Sequence, residues 1–126
     1  GDGIIFATPY GSLAYSLSSN GPILSNKTNS ITMVPVCPLS MSFRPICLPN
    51  STVINIRIAE KSRALGTVTC DGFCSFELGK DEVLEIKKSN KRFEVQLLLC
   101  SGMWSRTLTN QLSMGEQTQK RPQLGQ

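Results

Sequence analysis

The sequence predicts a mainly β domain of the sandwich or barrel type with one short helix. The chain has 126 residues, of which 40% are hydrophobic and 17% are charged, so it is long enough and apolar enough to form one packed core. Apolar and polar residues alternate with a period of two through its middle part. Turn sequences separate these runs at intervals of roughly 8–12 residues, a spacing typical of all-β domains.

The first part of the chain contains three predicted strands and the helix. An apolar run at 3–7 and a second run at 31–36 have the composition of strands. Between them, residues 12–19 have small and apolar residues at helical spacing, with Ser12 as the cap. A short run at 46–48 lies between two prolines, which predicts an edge strand.

The middle of the chain reads as a series of short strands joined by tight turns. Isoleucines at alternate positions of 53–58 predict a half-buried strand. Asp71-Gly72 is a strong hairpin turn sequence, and a second turn is expected at 79–81. The remaining predicted strands are 66–70, 73–78, 83–87 and 93–99.

The composition changes near residue 100, so we expect a domain at 1–100 and a divergent, disordered tail at 101–126. The tail is rich in glutamine and poor in branched residues, and Trp104 is its one candidate anchor. The chain begins at a glycine with no preceding methionine, and we interpret it as a fragment of a longer protein.

Several classes of function are disfavoured by composition. The net charge of +4 is mild and no basic block stands out, so we expect no nucleic-acid partner. The lysines at 87, 88 and 91 with Arg92 resemble a phosphate or RNA patch, but we interpret them as a solvated turn. The charge-free stretch at 3–26 is broken by prolines and glycines, so we expect no membrane span.

The side chains available for catalysis and metal binding are restricted. The chain has no histidine, which excludes Ser-His and Cys-His catalysis within it. Its five cysteines lack the paired spacing of a zinc site, so we expect no metal site. We interpret the cysteines as small, buried apolar residues of a protein from a reducing compartment.

Residues 1–18 are the segment best suited to bind a ligand. A strand follows the glycine-flanked carboxylate of Asp2, and a Pro/Gly turn then leads into the predicted helix. Free N–H groups at a helix start accept polar or anionic groups, and the ring of Tyr15 offers a face for stacking. Asp2 can accept hydrogen bonds from ribose hydroxyls or an amide. The residues alone leave open the alternative of an ordinary turn and a loop entering a helix.

The same residues resemble a known family. The sequence of 1–18 reads Gly-Asp-Gly-Ile-Ile-x-x-Thr-Pro-x-Gly-Ser-x-Ala-Tyr-Ser-Leu-Ser, which is similar to the C-terminal domain of NAD kinases. The likeness continues through further segments up to about residue 90. These segments are 21–23, 35–46, 48–49, 71–72 and 78–81.

The resemblance implies an NAD kinase-type C-terminal β-sandwich, which in the family packs on an N-terminal α/β domain that is missing from this chain. The family transfers the γ-phosphoryl group of ATP, or in some members polyphosphate, to the 2′-hydroxyl of the adenosine ribose of NAD, giving NADP. A divalent metal, Mg²⁺ bound mainly with ATP, assists. The catalytic aspartate lies in a Gly-Gly-Asp-Gly-Thr motif of the N-terminal domain, so we expect no catalytic residue here and no activity of the fragment alone.

The resemblance also implies partners and a location. NAD and ATP are the expected small-molecule partners. Family members are commonly dimers or tetramers in which a neighbouring subunit completes the pocket, and we expect a homo-oligomer here. We expect a cytoplasmic location, with a mitochondrial one as the alternative.

Carried over by position, the resemblance assigns NAD contacts to nine residues. Asp2 is expected on the nicotinamide side, Ala14 contacts NAD through its backbone and Tyr15 through its ring. Cys37 is expected where the second strand approaches the ligand, with a core thiol as the alternative. We interpret Arg44 as a structural ion-pair residue. The full predicted site comprises Asp2, Ser12, Leu13, Ala14, Tyr15, Ser16, Leu17, Ser18 and Cys37.

Three positions depart from the family pattern. Tyr10 stands where the family has Thr or Ser, Leu13 replaces a Thr, and Leu39 replaces the His of a Cys-Pro-His-Ser motif. Each leucine removes a polar side chain, so only the backbone of Leu13 can contact a ligand. These departures keep open a non-catalytic nucleotide-binding or regulatory fragment. A lipid kinase relative with the same two-domain plan is a weaker alternative.

Overall fold

A computed structural model describes residues 1–91 and 103–112, and contacts divide the chain into two compact units, Gly1–Arg92 and Phe93–Gln126. The described part of the first unit is mainly β, as predicted. Its seven strands are β1 (Gly3–Ala7), β2 (Ser30–Val36), β3 (Ile46–Pro49), β4 (Ile54–Ile56), β5 (Gly66–Cys70), β6 (Cys74–Leu78) and β7 (Leu84–Ile86). A 3-10 turn (Gly11–Leu13) and a short helix, α1 (Tyr15–Ser18), lie between β1 and β2.

The largest sheet is antiparallel, with β2 between β1 and β3. Thr32 lies opposite Ala7 and Val34 lies opposite Ile5. Val34 and Thr32 are both fully buried. The Thr32 hydroxyl donates a hydrogen bond to the carbonyl oxygen of Ala7 at 3.1 Å, which satisfies the buried hydroxyl inside the core.

The proline pattern of this sheet follows its topology. β3 is the predicted edge strand, and its pairing with β2 ends at the Met33–Ile46 pair. Pro35 therefore lies beyond the last β3 partner and faces only β1 through its pair with Ile4. A proline without an N–H group is tolerated at such a position because no ladder bond to β3 is lost there.

The other strands form two antiparallel pairs, β4 with β7 and the hairpin of β5 with β6. The predicted turn between β5 and β6 is confirmed, since Asp71 and Gly72 have φ of 48° and 74°. Positive φ at both central residues matches the right-handed twist of the flanking strands. β4 and β7 are shorter than the predicted 53–58 and 83–87.

The predicted continuous helix at 12–19 is wrong. Ala14, with φ −94° and ψ −132°, separates the 3-10 turn from α1. Ser12 is not a helix cap either, because it lies inside the 3-10 turn and no side-chain cap bond forms at its start. The Ser12 hydroxyl instead bonds to Pro9 and Leu24, so side-chain bonding of this serine competes with a regular helix.

In the second unit, Met103–Leu112 forms the helix α2. Ten residues of the tail expected at 101–126 are therefore helical, and they contain neither glycine nor proline. The predicted strand at 93–99 and the side chain of Trp104 lie outside the described residues. Neither α1 nor α2 has the length and apolar character that a bilayer-spanning helix requires.

Candidate functional site

The turn after β1 reverses the chain and starts the ligand-binding segment predicted at 12–18. The amide of Ser12 donates to the carbonyl oxygen of Thr8 at 2.9 Å. The amide of Gly11 donates to the Thr8 hydroxyl at 3.3 Å. Thr8 therefore accepts both bonds that close the turn, which explains why a Thr-Pro sequence precedes the glycine here.

Ser12 joins this turn to the irregular segment that follows α1. Its side chain is fully buried. The hydroxyl donates to the Pro9 carbonyl at 2.7 Å and accepts from the Leu24 amide at 3.1 Å. Both hydrogen-bonding functions of this hydroxyl are therefore directed into the protein, and the side chain builds the segment rather than facing solvent.

Ser16 fixes α1 on the three-stranded sheet. It is 1% exposed, and its hydroxyl has no hydrogen-bond partner among the described residues. The amide of Gly21 donates to the Ser16 carbonyl at 2.8 Å. A Cβ at Gly21 would lie 3.0 Å from Cγ2 of Val34, so the glycine allows Ser16 to approach the core strand β2 closely.

The remaining residues of the segment divide into exposed and half-buried positions. Ala14 and Ser18 are exposed, and Tyr15 is 64% exposed, which is high for an aromatic side chain. Leu13 and Leu17 are half-buried. The exposed Tyr15 ring therefore lies on the same segment as two small exposed residues, Ala14 and Ser18. The buried residues of this segment are Ser12 and Ser16.

The backbone of Ala14 is already engaged within the segment. Its amide donates to the Gly11 carbonyl at 3.1 Å, and its carbonyl accepts from the Leu17 amide at 3.0 Å. A carbonyl oxygen has two lone pairs, so one acceptor position of Ala14 remains for a ligand donor. A backbone contact to Ala14 would therefore be made to its oxygen.

Asp2 and Cys37, which are far apart in sequence, come together at one end of the β1–β2 pair. The amide of Asp2 donates to the Val36 carbonyl at 2.9 Å, and Cys37 follows Val36 with φ of 44°. A Cβ at Gly1 would lie 3.0 Å from the Val36 oxygen and 3.2 Å from the Cys37 oxygen, so this end is closely packed at the backbone. Both Asp2 and Cys37 are exposed, which removes the core-thiol alternative for Cys37.

A recess of about 340 Å³ lies next to Asp2 and Cys37. Its side-chain lining is mostly apolar, and its volume is that of a small ligand pocket. Sequence reasoning missed this feature. Two features of the sequence could have indicated this recess. One is the alternation of β1, which places Ile4 on one face, and the other is the Pro-Leu-Ser-Met-Ser-Phe sequence after Cys37. The side chains that line it include Ile4, Pro35, Leu39 and Phe43.

Three further expectations can be compared with the structure. Arg44 is exposed and forms no ion pair with another described residue, so the expected structural ion pair stays a prediction. Lys87, which follows β7, is exposed and pairs with Glu85 of that strand, in agreement with a solvated turn. Within 1–91 and 103–112, no three Asp, Glu or Cys residues lie together in a position to hold a metal ion.

The interpretation of the cysteines as buried residues is wrong for every described one. Cys37, Cys47, Cys70 and Cys74 are free thiols and all are exposed. Their places in the fold explain this, because Cys37 lies after the end of β2 and Cys47 on the edge strand β3. The other two lie at the turn end of the β5–β6 hairpin.

Comparison with known proteins decides the family. The model of the ATP-NAD kinase C-terminal domain matches residues 1–98. This chain belongs to the ATP-NAD kinase family. The match covers the ligand-binding segment, the Asp2–Cys37 end of the sheet and all seven described strands of this NAD kinase domain.

Related proteins agree with this assignment. An NAD kinase of Methanosarcina barkeri is 44% identical over 89 residues, which are 70% of this chain and 32% of that protein. An ATP-NADH kinase of Saccharomyces cerevisiae is 44% identical over 89 residues, 71% of this chain and 18% of that protein. The crystal structure of a yeast NADH kinase complexed with NADH superposes with a TM-score of 0.68 at 27% identity, over 93% of this chain and 36% of that one.

The NAD kinase domain described here is only part of the length of these relatives. It spans 32% of the Methanosarcina protein and 18% of the Saccharomyces protein. The relatives therefore have long segments with no counterpart in this chain, and the fold assignment concerns the C-terminal domain alone.

Proposed function

We propose that this chain is the NAD-holding part of an ATP-dependent NAD kinase. The reaction would transfer the γ-phosphoryl group of ATP to the 2′-hydroxyl of the adenosine ribose of NAD, giving NADP. The observation that carries the proposal is the exposure of Tyr15, an aromatic ring 64% exposed on a segment whose Ser12 and Ser16 are buried. Membership of the ATP-NAD kinase family supports it.

The residues of the segment would have two kinds of role. The Tyr15 ring would stack on a flat part of NAD, and the Ala14 carbonyl and Ser18 hydroxyl would accept or donate hydrogen bonds beside it. Leu13, whose side chain is apolar, would contribute only its backbone. Ser12, Ser16 and Leu17 are buried or half-buried, so we assign them to positioning the segment rather than to contacts with NAD.

Asp2 and Cys37 would bind the nicotinamide side of NAD. The carboxylate of Asp2 is an acceptor for the amide N–H₂ group of nicotinamide, and the neighbouring recess is apolar enough to receive a ring. Asp2 is the only carboxylate among residues 1–43, so no second acidic group competes for the amide there. Cys37 would contact the ligand from the end of β2.

We assign the acid–base chemistry to residues outside this chain. The chain contains no histidine, and the one carboxylate among residues 1–43, Asp2, is assigned to binding. ATP would act as donor with Mg²⁺, which neutralises phosphate charge in phosphoryl transfer. The described residues do not form a metal site of their own, so the Mg²⁺ would be held by ATP and by other parts of the enzyme.

We further propose that the enzyme is a homo-oligomer in which a neighbouring subunit completes each pocket. No hydrogen bond in the described parts of the chain joins Asp2 to the 12–18 segment. Asp2 is bonded to the end of β2, whereas Ser12 is bonded to Pro9 and Leu24. Asp2 and the 12–18 segment are therefore two exposed parts of the site that are held in place separately. A pocket shared between two copies of the chain would take one part from each copy.

Mixing two impaired variants, assayed at an NAD concentration far below the wild-type KM, tests the shared pocket. Asp2→Ala and Tyr15→Ala would each lower activity, but a mixed dimer would contain one pocket with both residues intact. Random mixing of the two variants should restore about a quarter of wild-type activity if the enzyme is a dimer. Mixtures no more active than the separate variants, with subunit exchange shown by tagged copies, would place both residues in one subunit's pocket.

The catalytic proposal is tested by assaying the full-length protein with NAD, ATP and Mg²⁺. Formation of NADP, dependent on both ATP and Mg²⁺, is the expected result, and polyphosphate in place of ATP identifies the donor. A second candidate, a nucleotide-binding module without phosphoryl transfer, is favoured by the apolar Leu13 and by Leu39, which is 94% exposed beside the recess. Binding of NAD without NADP formation would support that module, and absence of both would refute the proposal.

We propose a cytoplasmic location for the protein. The described cysteines are exposed free thiols, a state that the reducing cytosol maintains. Imaging of a tagged full-length protein tests this, and co-localisation with a mitochondrial marker would contradict it.

A further inference from the structure

Cys70 and Cys74 face each other across the β5–β6 hairpin. They are the last paired residues before the turn, and each is the direct cross-strand partner of the other. Directly opposed residues of antiparallel strands have Cα atoms about 4.5–5.5 Å apart. Disulfides span Cα separations of about 4.4–6.8 Å, so the register places the two Cα atoms within the range that a disulfide requires.

The two thiols also share one face of the hairpin. Alternation along β5 and β6 places them on the face of Val68, Phe76 and Leu78. Exposure rises along this face from Leu78, which is 5% exposed, through Phe76 at 43%, to the two exposed cysteines. The apolar face therefore ends in a pair of sulfur atoms at its solvent-accessible end, where a small oxidant can reach them.

The turn between the cysteines keeps the pair in register. Asp71 and Gly72 both have positive φ, and the amide of Phe73 donates to the Cys70 carbonyl at 3.0 Å. Beyond the pair, the hydroxyls of Thr69 and Ser75 lie 3.4 Å apart on the opposite face. Hydrogen bonds in the turn and between Thr69 and Ser75 therefore keep the two cysteines opposite each other.

We propose that Cys70 and Cys74 are a reversible redox modification site that closes to an intramolecular disulfide with a small disulfide such as oxidised glutathione. One thiolate attacks a glutathione sulfur and releases one glutathione thiolate, leaving a mixed disulfide. The second cysteine thiolate attacks the protein sulfur of that mixed disulfide and releases the other glutathione. The protein loses two hydrogens and glutathione gains them as two thiols. This inference is independent of the kinase proposal.

The other described cysteines provide a matched comparison within the chain. Cys47 lies opposite Thr32 in the sheet, whereas Cys37 follows the far end of β2. Five residues of strand separate Thr32 from Cys37, about 17 Å at the usual rise, which is far beyond disulfide range. Cys37 and Cys47 are exposed as well, so they control for access of the oxidant.

The test is thiol mapping of the full-length wild-type protein, which needs no substitution. The protein is equilibrated with glutathione buffers of rising oxidised fraction, blocked with N-ethylmaleimide and digested with trypsin. One tryptic peptide, 64–80, contains Cys70 and Cys74, and another, 28–57, contains Cys37 and Cys47. We expect 64–80 to lose both labels together, with the mass of two hydrogens missing, and to regain them after dithiothreitol. The 28–57 peptide should instead keep its labels or gain glutathione.

Single variants test the two-step chemistry. In Cys70→Ser and Cys74→Ser, the remaining thiol has no partner, so the 64–80 peptide should carry glutathione at a level at least about tenfold above wild type. Full labelling of wild-type 64–80 throughout the series would overturn the proposal. So would glutathione on both of its cysteines, or a disulfide-linked dimer on a non-reducing gel, provided that circular dichroism shows a folded protein.

Discussion

Gly21 and Ser16 are in direct backbone and side-chain contact. The Gly21 amide donates to the Ser16 carbonyl at 2.8 Å, and the Ser16 hydroxyl oxygen lies where a Cβ of residue 21 would stand. The same Cβ would lie 2.6 Å from the Ser16 carbonyl oxygen and 3.0 Å from Val34. The exposed face of α1, which carries Tyr15, is therefore positioned by a contact that only glycine permits.

Substitution of Gly21 by alanine should destabilise the protein. The added methyl group would meet backbone as well as side-chain atoms, and overpacking of this kind costs about 1–3 kcal/mol. We expect a lower thermal midpoint in Gly21→Ala. Gly3→Ala is the matched control, because nothing lies within 4 Å of its Cβ position. Equal midpoints for the two variants would show that Gly21 is not close-packed.

A double-mutant cycle tests whether the Ser16 hydroxyl takes part in the close contact with Gly21. Ser16→Ala removes a buried hydroxyl that has no partner among the described residues, so alone it should leave stability unchanged or raise it slightly. In the Gly21→Ala background it should recover part of the lost stability, a coupling of about 0.5–1.5 kcal/mol. Strictly additive effects would mean that the two side-chain positions do not touch.

Ser12 and Ser18 should separate stability from ligand affinity. Ser12→Ala leaves the Leu24 amide and the Pro9 carbonyl without their shared partner, a loss of about 1–3 kcal/mol. Ser18→Ala removes an exposed hydroxyl and should leave the thermal midpoint unchanged while it raises the KM for NAD. Thermal unfolding and steady-state kinetics of both variants provide the check. The reverse pattern would contradict the assignment of the two serines.

Loss of the Tyr15 ring should weaken the binding of NAD. Stacking on an aromatic ring contributes about 1–3 kcal/mol per base, so Tyr15→Ala should raise the KM for NAD about tenfold or more. Tyr10 is a matched control, since its ring is 61% exposed but lies before the 12–18 segment. Tyr10→Ala should leave the KM unchanged, and an unchanged KM in Tyr15→Ala would remove that ring from the site.

Apolar runs, apolar alternation and turn sequences together located the seven described strands of this fold. The Asp71-Gly72 turn and the edge strand at Ile46–Pro49 were predictable because their residues have strong local preferences. The break in the helix at Ala14 was not predictable, since it depends on a hydrogen bond between Ser12 and Leu24, twelve positions away. Exposure of the cysteines could not be predicted either, because it depends on where each strand ends and which strand lies at the edge of the sheet.

The candidate site was predictable in part. The resemblance named the 12–18 segment, and the chain geometry explains why Tyr15 is displayed there. The sequence separation of Asp2 and Cys37 did not indicate that the two residues lie opposite each other. Their proximity follows from the register of β1 with β2. The recess beside them also depends on this register, because Ile4 and Pro35 line it from opposite strands.

The account rests on NAD being held by the Tyr15 segment and the Asp2 end of the sheet. A crystal structure of the full-length protein with NAD tests this most directly. We predict a ring of the coenzyme stacked on Tyr15 and the nicotinamide amide within hydrogen-bond distance of an Asp2 carboxylate, from the same or a neighbouring subunit. NAD bound in a different cleft, with Tyr15 and Asp2 both free of ligand, would contradict the account.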